Sequence, residues 1–303
     1  MILDCHTHLA SPHTLPEPFF AGWGENIRRL LPPDLPERHR AKIAARYRLE
    51  RPDPSGDQHV SELNAAGIDA AVSLIVDFGF AFPEAFPPLE EVFALHHAMA
   101  LRHPGRFWVF AGIDPRRGSA GVDLFARSIA KWGVRGLKLY PPCGYSPSDP
   151  ALDPYYDLCA QHKLPVLTHT GPTSPRLSFQ HTRPMDVEAA AQRFPNVNFI
   201  LAHGAVVHRE DAALLAEYRP NVYVDTAGFQ VAVKRGEWND TLMRYKRHGI
   251  LRKLLFGSDW PIHAEHGPLS GWMPRLTGEP GLLTAAERSW ILEDNHRELW
   301  SCT

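Results

Sequence analysis

The sequence predicts a single (β/α)8 barrel with a long loop insertion after the first strand. Three observations predict it: eight short apolar runs that read as buried strands, helix-like stretches between them, and polar residues at the C-terminal ends of several runs. The runs are MILDCHTHL (1–9), AAVSLIVDF (70–78), RFWVFAGID (106–114), GLKLYP (136–141), PVLTHTG (165–171), NFILAHG (198–204), NVYVDTAG (221–228) and LLFGSDWP (254–261). Most are almost continuously apolar up to a polar end, the pattern of strands covered on both faces in a parallel sheet. They recur at a spacing of roughly 30 residues, the length of one strand-and-crossover unit.

The connecting stretches carry helical periodicity. Examples are 60–67, 90–102, 122–133, 155–163, 186–194 and 211–218. Gly67 and Gly133 stand where two of them should stop, and Pro165 and Pro195 follow two others. The last helix opens with Thr284-Ala-Ala-Glu287, a capping box, and runs to Trp300.

One spacing breaks the rhythm. Residues 10–56, rich in Pro and Arg, follow strand 1 and so belong over the C-terminal face of the barrel. A long loop at that face is expected to be a lid within one domain spanning 1–303. Its AKIAARYRLE segment (41–50) reads as a helix.

Bulk properties narrow the function. The chain has 303 residues, 44% hydrophobic and 22% charged, with a formal net charge of -2. No basic stripe suggests nucleic acid, so a small-molecule substrate is the expected partner. No apolar run approaches the ~20 residues of a membrane span. The N-terminus lacks a basic segment followed by an apolar one, so no signal peptide is expected. Cys5, Cys143, Cys159 and Cys302 form no CxxC pair, which predicts reduced thiols and a cytoplasmic location. By alternation along its strand, Cys5 should point away from His6, between barrel and helices.

The chemistry gathers at the strand ends. His6 and His8 are two residues apart and share one face of strand 1. Strand 5 ends with His169, strand 6 with His203 and strand 8 with Asp259. Imidazole and carboxylate are ligands of a divalent transition metal such as zinc. Taken singly, each reads as a buried hydrogen-bonded residue or a cap. Converging on one rim from four strands, they predict a metal site.

HxH on strand 1, His on strand 5, HG on strand 6 and SDWP on strand 8 together resemble the amidohydrolase superfamily. The branch they resemble is amidohydrolase family 2, which holds lactone hydrolases and the aminocarboxymuconate-semialdehyde and resorcylate decarboxylases. The resemblance runs from Leu3 to the terminal EDNHRELW helix. It makes His6, His8, His169 and Asp259 the ligands of one divalent ion, with zinc expected and manganese the alternative. It makes His203 the catalytic histidine beside them and Asp259 a ligand that also moves a proton. In other branches a His on strand 6 binds a second metal. Two phosphoesterase and nuclease barrels are set aside: the PHP type ends in D-x-H, where Pro261 stands here, and the TatD type carries a glutamate on strand 4. A homodimer is expected by the same resemblance.

Lys138 on strand 4 has three readings. In two-metal branches a lysine there is carboxylated and bridges the ions. The family-2 resemblance makes it an ammonium that meets a substrate carboxylate or enolate. The structural reading pairs it with Asp114 or Asp77. Tyr140 shares its face and is expected to line the pocket. Arg176 and His181 follow strand 5, and His263 and His266 follow strand 8; each is either a substrate contact, as assigned here to Arg176, or a solvated loop residue. Asp225, ending strand 7, is expected to hydrogen-bond a ligand histidine.

The expected function is therefore metal-dependent hydrolysis of a small carboxylated lactone, ester or amide by a metal-activated water. The alternative from the same residues is metal-dependent, non-oxidative decarboxylation of an aromatic or conjugated carboxylic acid. A third reading is a metal-binding barrel without catalysis.

Overall fold

The structure, a computed structural model, describes residues 1–301 apart from Tyr47 and Glu50. Strand β1 (Leu3–Thr7) is buried at every position, as its apolar run requires. It is followed by α1 (Glu17–Leu30), α2 (Glu37–Ala44) and α3 (Asp57–Ala66). From there strand and helix alternate: β2 (Ala70–Leu74), α4 (Leu89–Arg102), β3 (Phe107–Gly112), α5 (Gly118–Trp132), β4 (Leu137–Leu139), α6 (Asp153–His162), β5 (Val166–His169), α7 (Glu188–Arg193), β6 (Phe199–Ala202), α8 (Arg209–Tyr218) and β7 (Val222–Asp225). The chain then forms α9 (Phe229–Lys234), α10 (Trp238–Arg247), β8 (Leu254–Leu255), α11 (Leu269–Leu276), α12 (Ala285–Ser289) and α13 (Asn295–Ser301).

The eight strands are parallel and lie in sequence order around a nearly closed barrel. The polar ends of the runs stand outside the ladders, so the observed strands are shorter than the apolar runs. The seam between β8 and β1 is bridged by three main-chain hydrogen bonds. Cys5 N–H donates to the Phe256 carbonyl (2.8 Å), Asp259 N–H to the His6 carbonyl (2.8 Å) and His8 N–H to the Trp260 carbonyl (2.7 Å). Barrel closure thus sews the HxH segment to the SDWP segment.

Register places the interior. Gly112, Lys138, Leu167, Ile200 and Tyr223 pair in one row across β3 to β7. Leu167 and Ile200 belong to an apolar cluster with Leu3, Cys5, Val72, Phe110 and Leu255, drawn from six strands, which Leu299 of α13 joins. Lys138 therefore sits in an apolar layer of the barrel interior. Cys5 belongs to that cluster, not to the layer between strands and helices. The register of β1 against β2 shifts between Asp4 and Thr7, so strict alternation of side chains fails there. At Gly112 a Cβ would lie 1.9 Å from the Ile75 carbonyl oxygen, so only glycine fits between β2 and β3.

The helices that connect successive strands from β2 to β7 bury one stripe against the barrel. In α4 the stripe is Leu89, Val92, Phe93, His96 and Met99. Each fully buried Leu, Val or Phe contributes about 1.5–3 kcal/mol of transfer free energy. Gly67 and Gly133 end α3 and α5 in the left-handed conformation (φ 70° and 61°). The capping box forms: Thr284 Oγ1 accepts from Glu287 N–H (3.2 Å) and Glu287 Oε2 from Thr284 N–H (2.8 Å). A π-helical turn over Trp290–Asp294 interrupts the helix that follows.

Within 10–56, Asp53 N–H donates to the Ala10 carbonyl (2.6 Å) and pins the two ends of the insertion together. The helix expected over 41–50 ends instead at Ala44, having begun at Glu37, and Tyr47 and Glu50 of that stretch lie outside the described residues. Cys5, Cys143 and Cys159 are buried free thiols; Cys302 lies outside the described residues. Among the described residues no helix is long and apolar enough to cross a membrane.

Candidate metal centre

The seam hydrogen bonds bring His6, His8 and Asp259 together, each buried. His6 Nδ1–H donates to Asp225 Oδ2 (2.7 Å), and His8 Nδ1–H to the Leu74 carbonyl (3.3 Å). With Nδ1 carrying the proton in this assignment, the lone pair of each ring lies on Nε2. Both Nε2 atoms face Asp259 Oδ1, at 3.5 Å from His6 and 3.3 Å from His8.

Three lone-pair donors so close repel one another unless a cation sits among them. The two separations from Asp259 Oδ1 match the ~3.3 Å edge of a tetrahedron whose metal–ligand bonds are ~2.0–2.1 Å, and all three atoms lie within 4.8 Å of one another. His6 Nε2 and His169 Nε2 are buried with no hydrogen-bond partner among the described residues. The His169 ring lies 4.8 Å from that of His203, which lies 4.8 Å from that of His6. The donor set fits a divalent metal.

Electrostatics agree. Burial, followed by the charge of Lys138, holds His6 well below the usual imidazole range, and burial does the same to His169. Burial also lowers His8, partly offset by Asp259. These three rings are neutral at pH 7, the state that coordinates a metal. Burial opposes ionisation of Asp259, but the pull of the surrounding imidazoles, His8 first and then His203 and His263, outweighs it, so the carboxyl stays below its usual range.

His203 and Asp259 both adopt left-handed backbone (φ 62° each), at a cost of about 1–2 kcal/mol per residue. Asp225 Oδ1 accepts the His203 N–H (2.7 Å) and the Ala227 N–H (3.0 Å), and so holds the first of these turns. His203 Nδ1–H donates to the Ala227 carbonyl (3.1 Å), leaving Nε2 free. Asp225 thus bonds His6, the ligand candidate on β1, and also holds two backbone N–H groups that no sequence signal indicates. Burial raises its own pKa to about 6, against the pull of His203.

A cavity of about 230 Å³ opens over this cluster, lined at its polar end by His8, His169, His203 and Asp259. That is small beside the ~300–1,000 Å³ of most ligand pockets. Its walls are hydrocarbon: Phe19 and Trp23 from the insertion, Phe78, Val206, Val207 and Val231. Tyr140 lines it too, its hydroxyl bonded to Thr173 Oγ1 (2.6 Å) and its ring 4.6 Å from His169. A neighbouring cavity of about 340 Å³ shares Trp23, Ile262 and His263 as a common wall and is lined by none of His6, His8, His169 and Asp259.

Other sequence-selected residues land elsewhere. Lys138 is 1% exposed and does not line the cavity. Its Nζ has no hydrogen-bond partner among the described residues, and burial pulls its pKa down to about 8, against the raising effect of Asp225 and Asp259. It does not pair with Asp77 or Asp114, because Arg117 and Arg116 occupy them at 2.5 and 2.6 Å. Arg176 lies in a separate groove with Gly22 and Glu25, away from the cluster. His181 does not line the cavity, whereas His263 does, with Nε2 3.6 Å from Asp259 Oδ2; His266 stacks on His263. Arg235, which no sequence signal picked out, lines the cavity as well.

A search of curated proteins finds no match. Several solved structures resemble the chain along its whole length. The 2,6-dihydroxybenzoate decarboxylase from Rhizobium is 16% identical with a TM-score of 0.65, over 99% of this chain and 98% of that one. The manganese-bound 5-carboxyvanillate decarboxylase from Novosphingobium aromaticivorans is 12% identical with a TM-score of 0.67, over 99% and 96%. The 4-oxalomesaconate hydratase from Rhodopseudomonas palustris is 16% identical with a TM-score of 0.64, over 99% and 96%. At these identities the likeness carries the fold. The family model described as amidohydrolase, Amidohydro_2, matches residues 3–301, and the chain therefore belongs to amidohydrolase family 2.

Proposed function

We propose that this chain is a metal-dependent hydrolase of a small carboxylated lactone, ester or amide, with His6, His8, His169 and Asp259 holding one divalent ion. The observation that carries the reading is the convergence of His6 Nε2 and His8 Nε2 on Asp259 Oδ1, at 3.5 and 3.3 Å, with His6 Nε2 buried and without a hydrogen-bond partner among the described residues. A zinc or manganese ion held there supplies Lewis-acid polarisation of a carbonyl and acidifies water to a pKa of ~7. Asp259 takes the proton lost by the attacking water and returns it to the leaving group. His203, fixed by its bond to Ala227, presents Nε2 to the same space and serves proton transfer at the reacting carbonyl. The small, largely hydrocarbon-walled cavity orients the substrate over the cluster.

A second reading is non-oxidative decarboxylation. The apolar walls favour it, since a carboxylate pressed against Phe78 and Val207 loses solvation and the departing CO2 is neutral. Asp259 or His203 then protonates the carbon that carried the carboxylate. Metal analysis of the purified protein, followed by a substrate panel with and without that metal, tests both. Acid release from lactones and esters supports hydrolysis; trapped CO2 from aromatic and muconate-like acids supports the second reading. Full turnover of a confirmed substrate after chelation would sink both.

A further inference from the structure

α9 climbs one wall of the cavity. Its lower end is tied to the reacting centre, because the Ala227 carbonyl accepts from His203 Nδ1–H (3.1 Å). Ala227, Gly228, Val231 and Arg235 all line the cavity; Val231 lies within α9 and Arg235, its C-cap, follows one turn later. Gly228 makes the entry: it is left-handed (φ 84°), and a Cβ there would lie 3.2 Å from His263 Nε2. From Gly228 to Arg235 the backbone rises ~10 Å at ~1.5 Å per residue. Arg235 keeps right-handed helical geometry (φ -83°, ψ -5°), so its Cα–Cβ bond tilts back toward the His203 end.

Among the described residues Arg235 is the sole Lys or Arg lining this cavity, and its side chain has no hydrogen-bond or ion-pair partner. Glu237, the nearest acid in sequence, pairs with Arg209 (3.5 Å). The rest of the lining is mostly hydrocarbon, Phe78 and Val207 among it, with His263, Tyr140, Thr170 and Thr173 as polar neighbours. A guanidinium presents a planar fork that matches a carboxylate.

We infer that Arg235 determines specificity by binding a carboxylate at the end of the substrate opposite the bond that reacts. The inference rests on the reading of this cavity as the substrate site. It selects small, elongated acids with an apolar middle, and it places at Arg235 the anion contact that the sequence assigned to Lys138 and Arg176.

The test uses equilibrium binding to the metal-loaded full chain, with dicarboxylates and their monomethyl esters as paired probes: terephthalate, glutarate, adipate and pimelate. At the best spacing, wild type binds the dianion about 10- to 100-fold more tightly than its monoester, the worth of a charged hydrogen bond. Arg235→Met abolishes that preference, and Arg235→Lys keeps part of it. Wild type showing no preference at any spacing, or Arg235→Met keeping it, overturns the inference. Because binding is read without turnover, the two readings fail separately. A preference lost in Arg235→Met with no acid or CO2 released from any substrate sinks the reaction and supports the anchor. Confirmed turnover with a preference that Arg235→Met leaves intact sinks the anchor alone.

Discussion

Asp225 accepts His6 Nδ1–H at 2.7 Å through one oxygen and the His203 backbone N–H at 2.7 Å through the other. One carboxylate on β7 therefore sets the tautomer of a ligand candidate on β1 and the left-handed turn that aims a histidine after β6. The His6 bond spans 219 positions of sequence.

Asp225→Asn separates these tasks. If the amide oxygen keeps the His203 and Ala227 N–H groups, its NH2 faces His6 and forces the proton onto Nε2, which then cannot coordinate. Metal affinity is expected to fall about 10- to 100-fold, measured by competition with a chromophoric chelator. An affinity equal to wild type would mean that Asp225 does not control His6.

His203→Asn removes the free Nε2 and leaves the inward lone pairs of His6, His8 and Asp259. Turnover is expected to drop by about 10²–10⁴ while metal content stays at one ion per chain. Activity and metal lost together would instead make His203 a ligand.

The repulsion among the inward donors predicts a large response to metal. Zinc or manganese at 100 times its dissociation constant is expected to add about 2.7 kcal/mol to unfolding. The shift is read as the difference in thermal unfolding between metal-loaded and chelated protein. His169→Asn, which deletes a buried unpartnered nitrogen, should abolish most of it; a full shift in that variant would exclude His169 from the site.

Three imidazoles away from the centre predict acid sensitivity. Burial pushes His59 down to about 3, and His96 and His296 down to about 4. Above pH ~6.5 both the folded and the unfolded chain carry them neutral, so they add no pH dependence. As pH falls below ~6.5 the unfolded chain takes up protons that the fold refuses, and each imidazole costs about 1.4 kcal/mol per pH unit. The loss levels off near pH 4 for His96 and His296 and near pH 3 for His59. Urea unfolding of chelated protein at pH 7.5 and 5 should differ by about 2 kcal/mol less in His96→Leu than in wild type. An identical difference in the two proteins would place His96 in a solvated environment.

The barrel and its donors were legible because their signals are local. Burial on both faces writes itself as apolar runs, Gly67 and Gly133 mark helix ends, and His6, His8, His169, His203 and Asp259 stand at the C-terminal ends of runs, where barrel sites form. The insertion was legible as an interruption, but its helices were not. α1 buries Phe19 and Phe20, and its Trp23 joins Phe19 over the cavity; that apolar face has meaning only against Phe78 and the barrel mouth.

The sequence by itself determined the alternation of strand and helix and which residue types reach the rim. Tertiary structure alone decided their partners. Lys138 lies in an apolar layer beneath the donors, Arg176 faces α1, Cys5 turns inward at a register shift, and Arg235 lines the cavity. Each outcome depends on distances between segments far apart in the chain. Those distances are set when β8 closes against β1, and no pattern within one segment records them.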